Sequence, residues 1–194
     1  MEEKSEGGGT YNVLEAEIIA RIVRGLQEQP AFDLHELGVI SAYKAQVKKI
    51  RGMLSDCLTE DERQEMAATL DSFQGQERDI IIYSFTRSSQ KPPHLRRIGF
   101  LNELRRLNVA MTRCKKMLIL VGDMDFLSRC MHEAPDEDGN LTAETYVGSE
   151  RHFSAFIQDM LRGVQSGVDG WPAGEIISYD EFNRRMEGIE DGGR

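Results

Sequence analysis

Three stretches of this sequence concentrate side chains that can bind phosphates, sugars or bases. The first, SAYKAQ, occupies residues 41–46, and the second, TLDSFQGQERD, occupies residues 69–79. The third, RRLNVAMTR, occupies residues 105–113, and on a helix its Arg106 and Arg113 would point toward one polyanion. All three are expected at the carboxyl ends of strands, where open α/β sheets place their ligands.

The polar and basic residues in these stretches can be explained either by ligand binding or by local structure alone. Gly75 lets a backbone approach a phosphate closely, and the neighbouring Gln74 and Glu77 can form hydrogen bonds with it. An arginine directed at a γ-phosphate stabilises the charge that develops during hydrolysis. The simpler explanations are a tight polar connection at Gly75 and a solvated basic face over 105–113. Taken singly, the stretches leave both explanations open.

The segments between these stretches alternate between strand and helix patterns. Short apolar runs predict buried strands at 37–42, 67–70, 79–85 and 117–122. Helical spacing of apolar residues predicts helices at 12–28, 47–54, 102–113 and 153–161, the first opened by a capping box of Asn12 and Glu15. This alternation favours an α/β fold with a mostly parallel sheet and helices on both faces.

The remaining segments are predicted to be loops and chain termini. Charged or proline-containing composition predicts loops at 59–65, 87–99 and 134–148. The domain organisation we predict is a flexible leader over 1–9, a main domain over 10–165, and an extension over 166–194 that packs on the domain or is partly disordered.

Composition limits the function classes. The net charge is −9, yet nine basic residues and one acidic residue lie between Thr86 and Lys116, which leaves a basic region for nucleic acid. No apolar run is long enough for a membrane span, and the start of the chain is acidic, so we expect no membrane partner. We predict an intracellular, cytoplasmic protein, or a nuclear one in a eukaryote. Three distant cysteines predict no metal site.

The three stretches, in this order, resemble the conserved motifs of a known family. ELGVISAYKAQV, TLDSFQGQERDIIIYSFTRS and IGFLNELRRLNVAMTRCKKMLILVGD are similar to motifs IV, V and VI of superfamily 1B helicases of the nonsense-mediated-decay and Senataxin type. The resemblance covers roughly residues 10–128. It implies the C-terminal, second RecA-like domain, with the fold of a P-loop NTPase. Such a domain packs against a first RecA-like domain, encloses ATP and Mg²⁺ between them, and grips single-stranded DNA or RNA.

The resemblance also implies roles for individual residues. Arg113 corresponds to the arginine finger, and Arg106 to a second catalytic contributor. The residues implied to bind nucleotide are Gln46, Gly75 and Glu77. The residues implied to line the nucleic-acid track are Ser41, Tyr43, Ser72 and Arg87. Two positions depart from the family: Val13 replaces an arginine of some members, and Gln76 replaces the basic residue of the GRE sequence.

The phosphate-binding half of a motor site is missing from these residues. There is no G-x-x-x-x-G-K-[ST] loop and no strand-end Asp-Glu pair, so we expect ATP and Mg²⁺ to be held mainly by the first domain and this chain alone to be inactive. The chain is then part of a longer helicase. The alternative is a stand-alone, non-enzymatic module that binds nucleic acid or protein through residues 86–116. An independent nucleotide-binding protein is disfavoured, because no phosphate cradle is present.

Overall fold

The computed structural model describes residues 3–6, 9–73, 75–90, 101, 104–128, 150–166 and 174–191. Within them, a four-stranded parallel sheet has the order β4-β3-β5-β6. Its strands are β3 (Leu37–Ser41), β4 (Ala67–Thr69), β5 (Arg78–Ser84) and β6 (Cys114–Val121). The predicted α/β class and its parallel sheet are confirmed, and β6 begins earlier than predicted.

The central strands are covered on both faces. Side chains alternate between the two faces along a strand, yet every residue of β3 is buried, and so are residues 81–84 of β5. Dense runs of branched apolar residues suit such doubly covered parallel strands. Gly38 is needed in β3, because a Cβ there would lie 2.6 Å from the ring of Phe73. That close approach anchors Phe73, and the turn around it, on the sheet.

In the part of the chain that the structure describes, four α-helices pack against this sheet. They are α1 (Val13–Gln27), α2 (Lys44–Met53), α3 (Glu60–Met66) and α4 (Leu104–Met111). α1 contacts α2, β5 and β6, whereas α2 and α3 contact β3 and β4, and α4 contacts β5 and β6. In α1, Ile18, Ile19 and Val23 are buried, as the helical spacing predicts. Each such side chain contributes about 1.5–3 kcal/mol when it is fully buried.

The described start of the chain contains a pair of short strands that the sequence did not predict, and the leader over 1–9 stays a prediction. Strand β1 (Glu3–Glu6) pairs antiparallel with β2 (Gly9–Asn12), with Glu6 opposite Gly9. The glycine content indicated flexibility, but strand pairing uses backbone N–H and C=O groups, which glycine also provides. β2 leads directly into α1, so the strand pair is continuous with the main domain.

The segment 59–65 was predicted to be a loop, and that prediction is wrong. It contains α3, whose first turn is closed by Thr59 and Glu62. The Glu62 carboxylate accepts a hydrogen bond from the Thr59 backbone N–H at 2.8 Å, and the Thr59 hydroxyl accepts one from the Glu62 N–H. This is a capping box. The high charge of the segment concealed a helix start that its T-x-x-E spacing encodes.

The chain divides into two compact units, Met1–Ser154 and Ala155–Arg194. A short helix, α5 (Met124–Ser128), follows β6 in the first unit. Most of α6 (Glu150–Ser166) and all of α7 (Tyr179–Asp191) belong to the second, and α6 confirms and extends the helix predicted at 153–161. The predicted boundary at residue 165 stays a prediction. In the described ranges, no helix is long and apolar enough to cross a membrane.

Candidate nucleotide and nucleic-acid site

The predicted site residues lie at two opposite edges of the parallel sheet. Residues 41–46 and 69–72 begin at the last residues of β3 and β4 and lie at the carboxyl edge, whereas 75–77 and Arg113 precede β5 and β6 at the amino edge. β5 contains seven residues, so the two edges are roughly 20 Å apart. The expectation that residues 105–113 lie at the carboxyl end of a strand is therefore wrong for Arg113. They lead into β6 instead, and α4 ends before Arg113.

A cluster of six buried polar residues lies at the carboxyl edge. None of its members has exposed surface: Asn12, Glu15, Ser41, Gln46, Ser84 and Thr86. We call this set the buried polar cluster. A buried polar group without a hydrogen bond costs about 1–3 kcal/mol, so these side chains must satisfy one another. The cluster joins the starts of α1 and α2 to the ends of β3 and β5.

Gln46 stands at the centre of the buried polar cluster. Its Oε1 accepts a hydrogen bond from the Asn12 backbone N–H at 2.7 Å, and its Nε2 donates to the Asn12 carbonyl at 3.2 Å and to Ser84 Oγ at 3.0 Å. Both amide groups are thus engaged with protein atoms, and the side chain is fully buried. A direct nucleotide contact by Gln46 stays a prediction, and this geometry favours a structural connection.

Glu15 is the acidic member of the cluster. Its Oε2 accepts hydrogen bonds from Ser84 Oγ at 2.6 Å and from the Thr86 N–H at 2.8 Å, and its Oε1 accepts one from Asn12 Nδ2 at 3.2 Å. The pKa of Glu15 is raised to about 8, first by burial and also by the nearby Asp123 carboxylate, against the opposing effect of the hydrogen bonds from Ser84 and Thr86. The carboxyl group is therefore harder to ionise than that of an exposed glutamate.

Thr86 forms a strained turn immediately after β5. Its φ is +70°, and the Arg87 N–H donates a hydrogen bond to the Phe85 carbonyl at 2.8 Å. This is the rarer form of the γ-turn. A β-branched residue with positive φ is an outlier, and such strain costs of order 1–3 kcal/mol. The Thr86 and Ser41 hydroxyls share a 2.9 Å hydrogen bond. The turn is therefore held from two sides, by Ser41 through the Thr86 hydroxyl and by Glu15 through the Thr86 N–H.

A groove of about 570 Å³ opens beside the carboxyl edge, next to α2 and α3. Four basic side chains, one acidic side chain and two hydroxyls line it: Lys44, Lys48, Arg51, Arg63, Glu60, Thr69 and Ser72. Arg51 donates to the Ala67 carbonyl and Arg63 donates to the Arg51 carbonyl, which fixes both guanidinium groups. α2 begins at Lys44, so its positive dipole end also lies at the groove. This basic groove suits a phosphodiester chain.

The amino edge is built around the turn that leads into β5. Gly75 has a φ of +83°, which glycine adopts without steric cost. Arg78 closes the turn, because its Nη2 donates to Gln76 Oε1 and its Nη1 to the Glu77 carbonyl, both at 3.2 Å. The Arg78 guanidinium also lies over the Phe73 ring, 5.7 Å from its centroid. The backbone at Glu77 is thereby fixed, while its side chain is half exposed.

Arg113 lies beside this turn, between α4 and β6. Its carbonyl accepts a hydrogen bond from the Arg78 N–H at 3.1 Å, and Lys115 Nζ lies 3.7 Å from Glu77 Oε2. The Arg113 Nε is buried, and the described residues offer it no acceptor. Because an unsatisfied buried donor costs about 1–3 kcal/mol, an anion supplied from elsewhere would stabilise this arrangement.

Comparison with known proteins identifies the family. Residues 1–125 match the family model described as AAA domain. The chain is 40% identical over 125 residues to DNA polymerase alpha-associated DNA helicase A of Saccharomyces cerevisiae, covering 63% of this chain and 17% of that protein. It is 38% identical over 138 residues to Regulator of nonsense transcripts 1 of Caenorhabditis elegans, covering 66% and 12%. The chain belongs to the superfamily 1B helicases.

Within that family it is of the nonsense-mediated-decay and Senataxin type. The helicase sen1 of Schizosaccharomyces pombe is 32% identical over 169 residues, which is 77% of this chain and 10% of the yeast protein. This helicase domain therefore spans less than a fifth of the length of each of these relatives. The family is one of ATP-dependent, nucleic-acid-binding enzymes.

The residues predicted to contact nucleotide are divided between the edges. Gly75, Glu77 and Arg113 lie together at the amino edge of the helicase domain. Gln46 lies at the opposite edge, in the buried polar cluster. The backbone of Arg106 lies in α4, but its side chain is outside the described part of the chain. The structure thus brings together three of the five predicted nucleotide-site residues and separates Gln46 from them.

The residues predicted to contact nucleic acid all lie near the carboxyl edge. Ser41 is fully buried and Tyr43 is 8% exposed, and the Tyr43 N–H donates to Ser41 Oγ at 3.3 Å. Ser72 is exposed, lines the basic groove and shares a 2.9 Å hydrogen bond with Thr69. Arg87 is half-buried. Ser72 and Arg87 therefore present more side-chain surface than Ser41 and Tyr43. The basic loop over 91–99 lies outside the described residues.

Two features of the amino edge bear on the predicted nucleotide contacts. The buried Nε of Arg113 lacks an acceptor within the described ranges, and a planar guanidinium matches phosphate geometry. At Gly75, a Cβ would meet no described atom within 4 Å, so the backbone is open to a ligand. Neither feature provides the phosphate cradle of a P-loop, and the described residues contain no group of three or more His, Cys, Asp or Glu placed to hold a metal ion.

Sequence reasoning named only Ser41 and Gln46 of the buried polar cluster as site residues, and it missed four members: Asn12, Glu15, Ser84 and Thr86. A signal for Glu15 was present, because it shares a helix face with Ile18 and Ile19, three and four residues later. A carboxyl group on an apolar helix face must find buried partners. The capping-box interpretation explained Glu15 as a helix start. The Glu15 N–H does donate to Asn12 Oδ1, but Gln46 takes the Asn12 backbone N–H.

Proposed function

We propose that this helicase domain is the second motor domain of an ATP-dependent superfamily 1 helicase or translocase. Residues 10–165 would then form RecA-like domain 2 and supply motifs IV, V and VI to an ATP site shared with a first RecA-like domain. The observation that carries this proposal is the buried Arg113 Nε, for which no described residue offers an acceptor, beside the exposed carboxyl group of Glu77. An arrangement of this kind is complete only when another molecule contributes an anion.

In this proposal each amino-edge residue has its own task. Arg113 directs its guanidinium at the terminal phosphate and stabilises negative charge there. Gly75 and Glu77 approach the edge of the nucleotide, and Arg106 is a second contributor near the phosphates. ATP and Mg²⁺ are held mainly by the first domain, and when bound they supply the phosphoanhydride and the cation that neutralises it. The 194 residues alone would be inactive, because they contain no P-loop.

The carboxyl edge takes the single-stranded nucleic acid. The basic groove supports this assignment, because four cationic side chains and the start of α2 line a channel next to Ser72. Contacts with phosphates give affinity without sequence preference. The names of the relatives refer to a DNA helicase and to nonsense transcripts, so RNA and DNA are both candidate substrates.

The experiment compares the complete polypeptide that carries this domain with the isolated 194-residue chain. ATP hydrolysis is measured for each without nucleic acid, with single-stranded RNA and with single-stranded DNA. We expect nucleic-acid-stimulated hydrolysis by the complete polypeptide and none by the isolated chain. Hydrolysis by the isolated chain at helicase-like rates would contradict the proposal. Oligonucleotide binding by a complete polypeptide that never hydrolyses ATP would favour a stand-alone binding module instead.

A further inference from the structure

The strained turn at Thr86 is not explained by packing alone. Glycine adopts a φ near +70° freely, whereas threonine does so only when its surroundings enforce it. The turn lies at the end of β5 and directly precedes Arg87. A residue that is held in a strained conformation at a ligand-binding edge indicates that the direction of the chain matters there.

Glu15 is the group that reaches this turn from another element. Its Oε2 accepts the Thr86 N–H and the Ser84 hydroxyl, so it holds the residues on both sides of Phe85. Thr86 in turn shares a hydrogen bond with Ser41 at the end of β3. One carboxyl group on α1 is therefore connected, through at most two hydrogen bonds, to the ends of two neighbouring strands.

We propose that Glu15 is a positioning residue for nucleic-acid binding: its buried carboxyl group fixes the turn at Thr86 and thereby places Arg87 at the carboxyl edge. The ligand is the sugar-phosphate backbone of a single strand, and Glu15 itself does not touch it. This inference rests on the proposed function, since it requires that the carboxyl edge binds nucleic acid. The amino edge is roughly 20 Å away, so nucleotide binding is independent of Glu15.

The test measures two affinities of the complete polypeptide, one for a fluorescein-labelled single-stranded oligonucleotide and one for a fluorescent ATP analogue. Glu15→Ala removes the acceptor of the Thr86 N–H and should weaken oligonucleotide binding about tenfold, while ATP-analogue binding changes less than about twofold. Glu15→Gln retains an acceptor oxygen and should stay within about threefold of the unaltered protein. Glu17→Gln, at an exposed position of the same helix, is the matched control and should change neither affinity.

A second substitution separates positioning from general stabilisation. Glycine at position 86 adopts the turn without being held, so Glu15→Ala should weaken oligonucleotide binding by less than about threefold when Thr86→Gly is already present. Loss of buried hydrogen bonds alone would lower folding stability whichever residue occupies position 86. A tenfold effect of Glu15→Ala that persists beside Thr86→Gly would overturn the proposal.

Other outcomes are equally decisive. Unchanged oligonucleotide binding in a folded Glu15→Ala variant overturns the inference, and so do equal losses of both affinities. If Glu15→Ala does not fold, Glu15→Asp replaces it, because the shorter side chain does not reach Thr86. Equal oligonucleotide binding by Glu15→Asp and Glu15→Gln would then overturn the inference. If the unaltered polypeptide binds no oligonucleotide, the proposed function fails with it. If it binds and the Glu15 variants match it, only the inference fails.

Discussion

The two edges of the sheet satisfy their buried polar groups in different ways. At the carboxyl edge, Glu15, Gln46 and their neighbours form hydrogen bonds with one another, so each member of the buried polar cluster has a partner within it. At the amino edge, Arg78 and Arg113 each retain a buried Nε for which no acceptor lies among the described residues. Both edges belong to the same strands, so the contrast comes from the side chains and not from the backbone.

This difference has a physical meaning for binding. Where buried polar groups already satisfy one another, the surface above them is preorganised, so a ligand binds there without the entropic cost of ordering it. A surface with an unsatisfied buried donor gains a hydrogen bond when an anion arrives. The proposed division, with nucleic acid at the carboxyl edge and ATP at the amino edge, follows this contrast. Substitutions confined to one edge should therefore affect one kind of ligand and not the other.

The largest effect is expected for Arg113→Ala. Removal of an arginine finger should lower kcat for ATP hydrolysis by about 10³-fold, since it acts on charge in the transition state. Oligonucleotide affinity should change less than about twofold, because Arg113 lies at the other edge. Steady-state hydrolysis at saturating oligonucleotide and fluorescence anisotropy measure the two effects. Lys116→Ala, three residues away at the same edge, is the control, because its ammonium group pairs with Asp79 and not with Glu77. Equal losses in hydrolysis and binding would refute the division.

Reversal of charge in the basic groove should weaken oligonucleotide binding at the carboxyl edge. Lys44→Glu combined with Lys48→Glu should raise the oligonucleotide Kd by about 10- to 100-fold and reduce its salt dependence by about two phosphate contacts. Lys115→Glu with Lys116→Glu changes the net charge equally but at the amino edge, and should leave oligonucleotide binding within about threefold. Binding titrations over a range of salt concentrations test this. Similar losses in both double variants would mean that only total charge matters.

Glu15 predicts a specific dependence of stability on pH. Its pKa in the folded protein is about 8 against an ordinary value of 4.5, so between these values the folded state binds more protons than the unfolded state. The stability contributed by this group is complete below the ordinary value and decreases as pH rises toward the folded value, by at most about 1.4 kcal/mol per pH unit.

Glu15→Gln removes this titration. Urea unfolding of both proteins between about pH 5 and pH 8 should therefore show the unaltered protein losing stability relative to the variant as pH rises. Glu17→Gln serves as the exposed control, and its stability should change with pH in the same way as that of the unaltered protein. A constant difference between Glu15→Gln and the unaltered protein, or a difference of the opposite slope, would show that Glu15 is ionised in the fold.

The smallest effect concerns the turn at the amino edge. Gly75→Ala forces an alanine into a φ of +83° and should cost about 1 kcal/mol of stability, with ATP affinity falling about fivefold. Gly52→Ala is the matched control, because a Cβ there also meets no described atom within 4 Å, but Gly52 lies inside α2 without a positive φ. That control should be neutral or stabilising. Thermal unfolding measures the stability of each variant, and nucleotide titration measures its ATP affinity. Equal effects of Gly75→Ala and Gly52→Ala would contradict the idea that the positive φ of Gly75 matters.

Much of the fold could be predicted from the sequence, because buried strands of a parallel sheet are dense apolar runs. The run at 79–85 and the helix at 12–28 correspond closely to β5 and α1. The start of β6 was missed, since its first residues include Lys115 and Lys116, whose charge conceals a strand. The placement of Arg113 was wrong for the same reason: a strand that begins at Cys114 puts Arg113 at the amino edge.

The site was predictable only where local sequence defines it. Gly75 and Glu77 lie within one turn, so their proximity follows from chain connectivity. The buried polar cluster depends on contacts across the fold, and no local pattern encodes the meeting of Glu15 with Thr86. A single sequence shows that a carboxyl group lies on an apolar helix face, but not which strand end will receive it.

The hydrogen bond between Glu15 and Thr86 joins residues that are 71 positions apart. Closing so long a loop is entropically unfavourable until the intervening strands have paired, so contacts of this kind slow folding and form late. We therefore expect the carboxyl edge to be among the last parts of the domain to be completed as the chain folds. A partly folded chain would then have its helices and much of its core, yet lack the ordered surface on which a nucleic acid could be held.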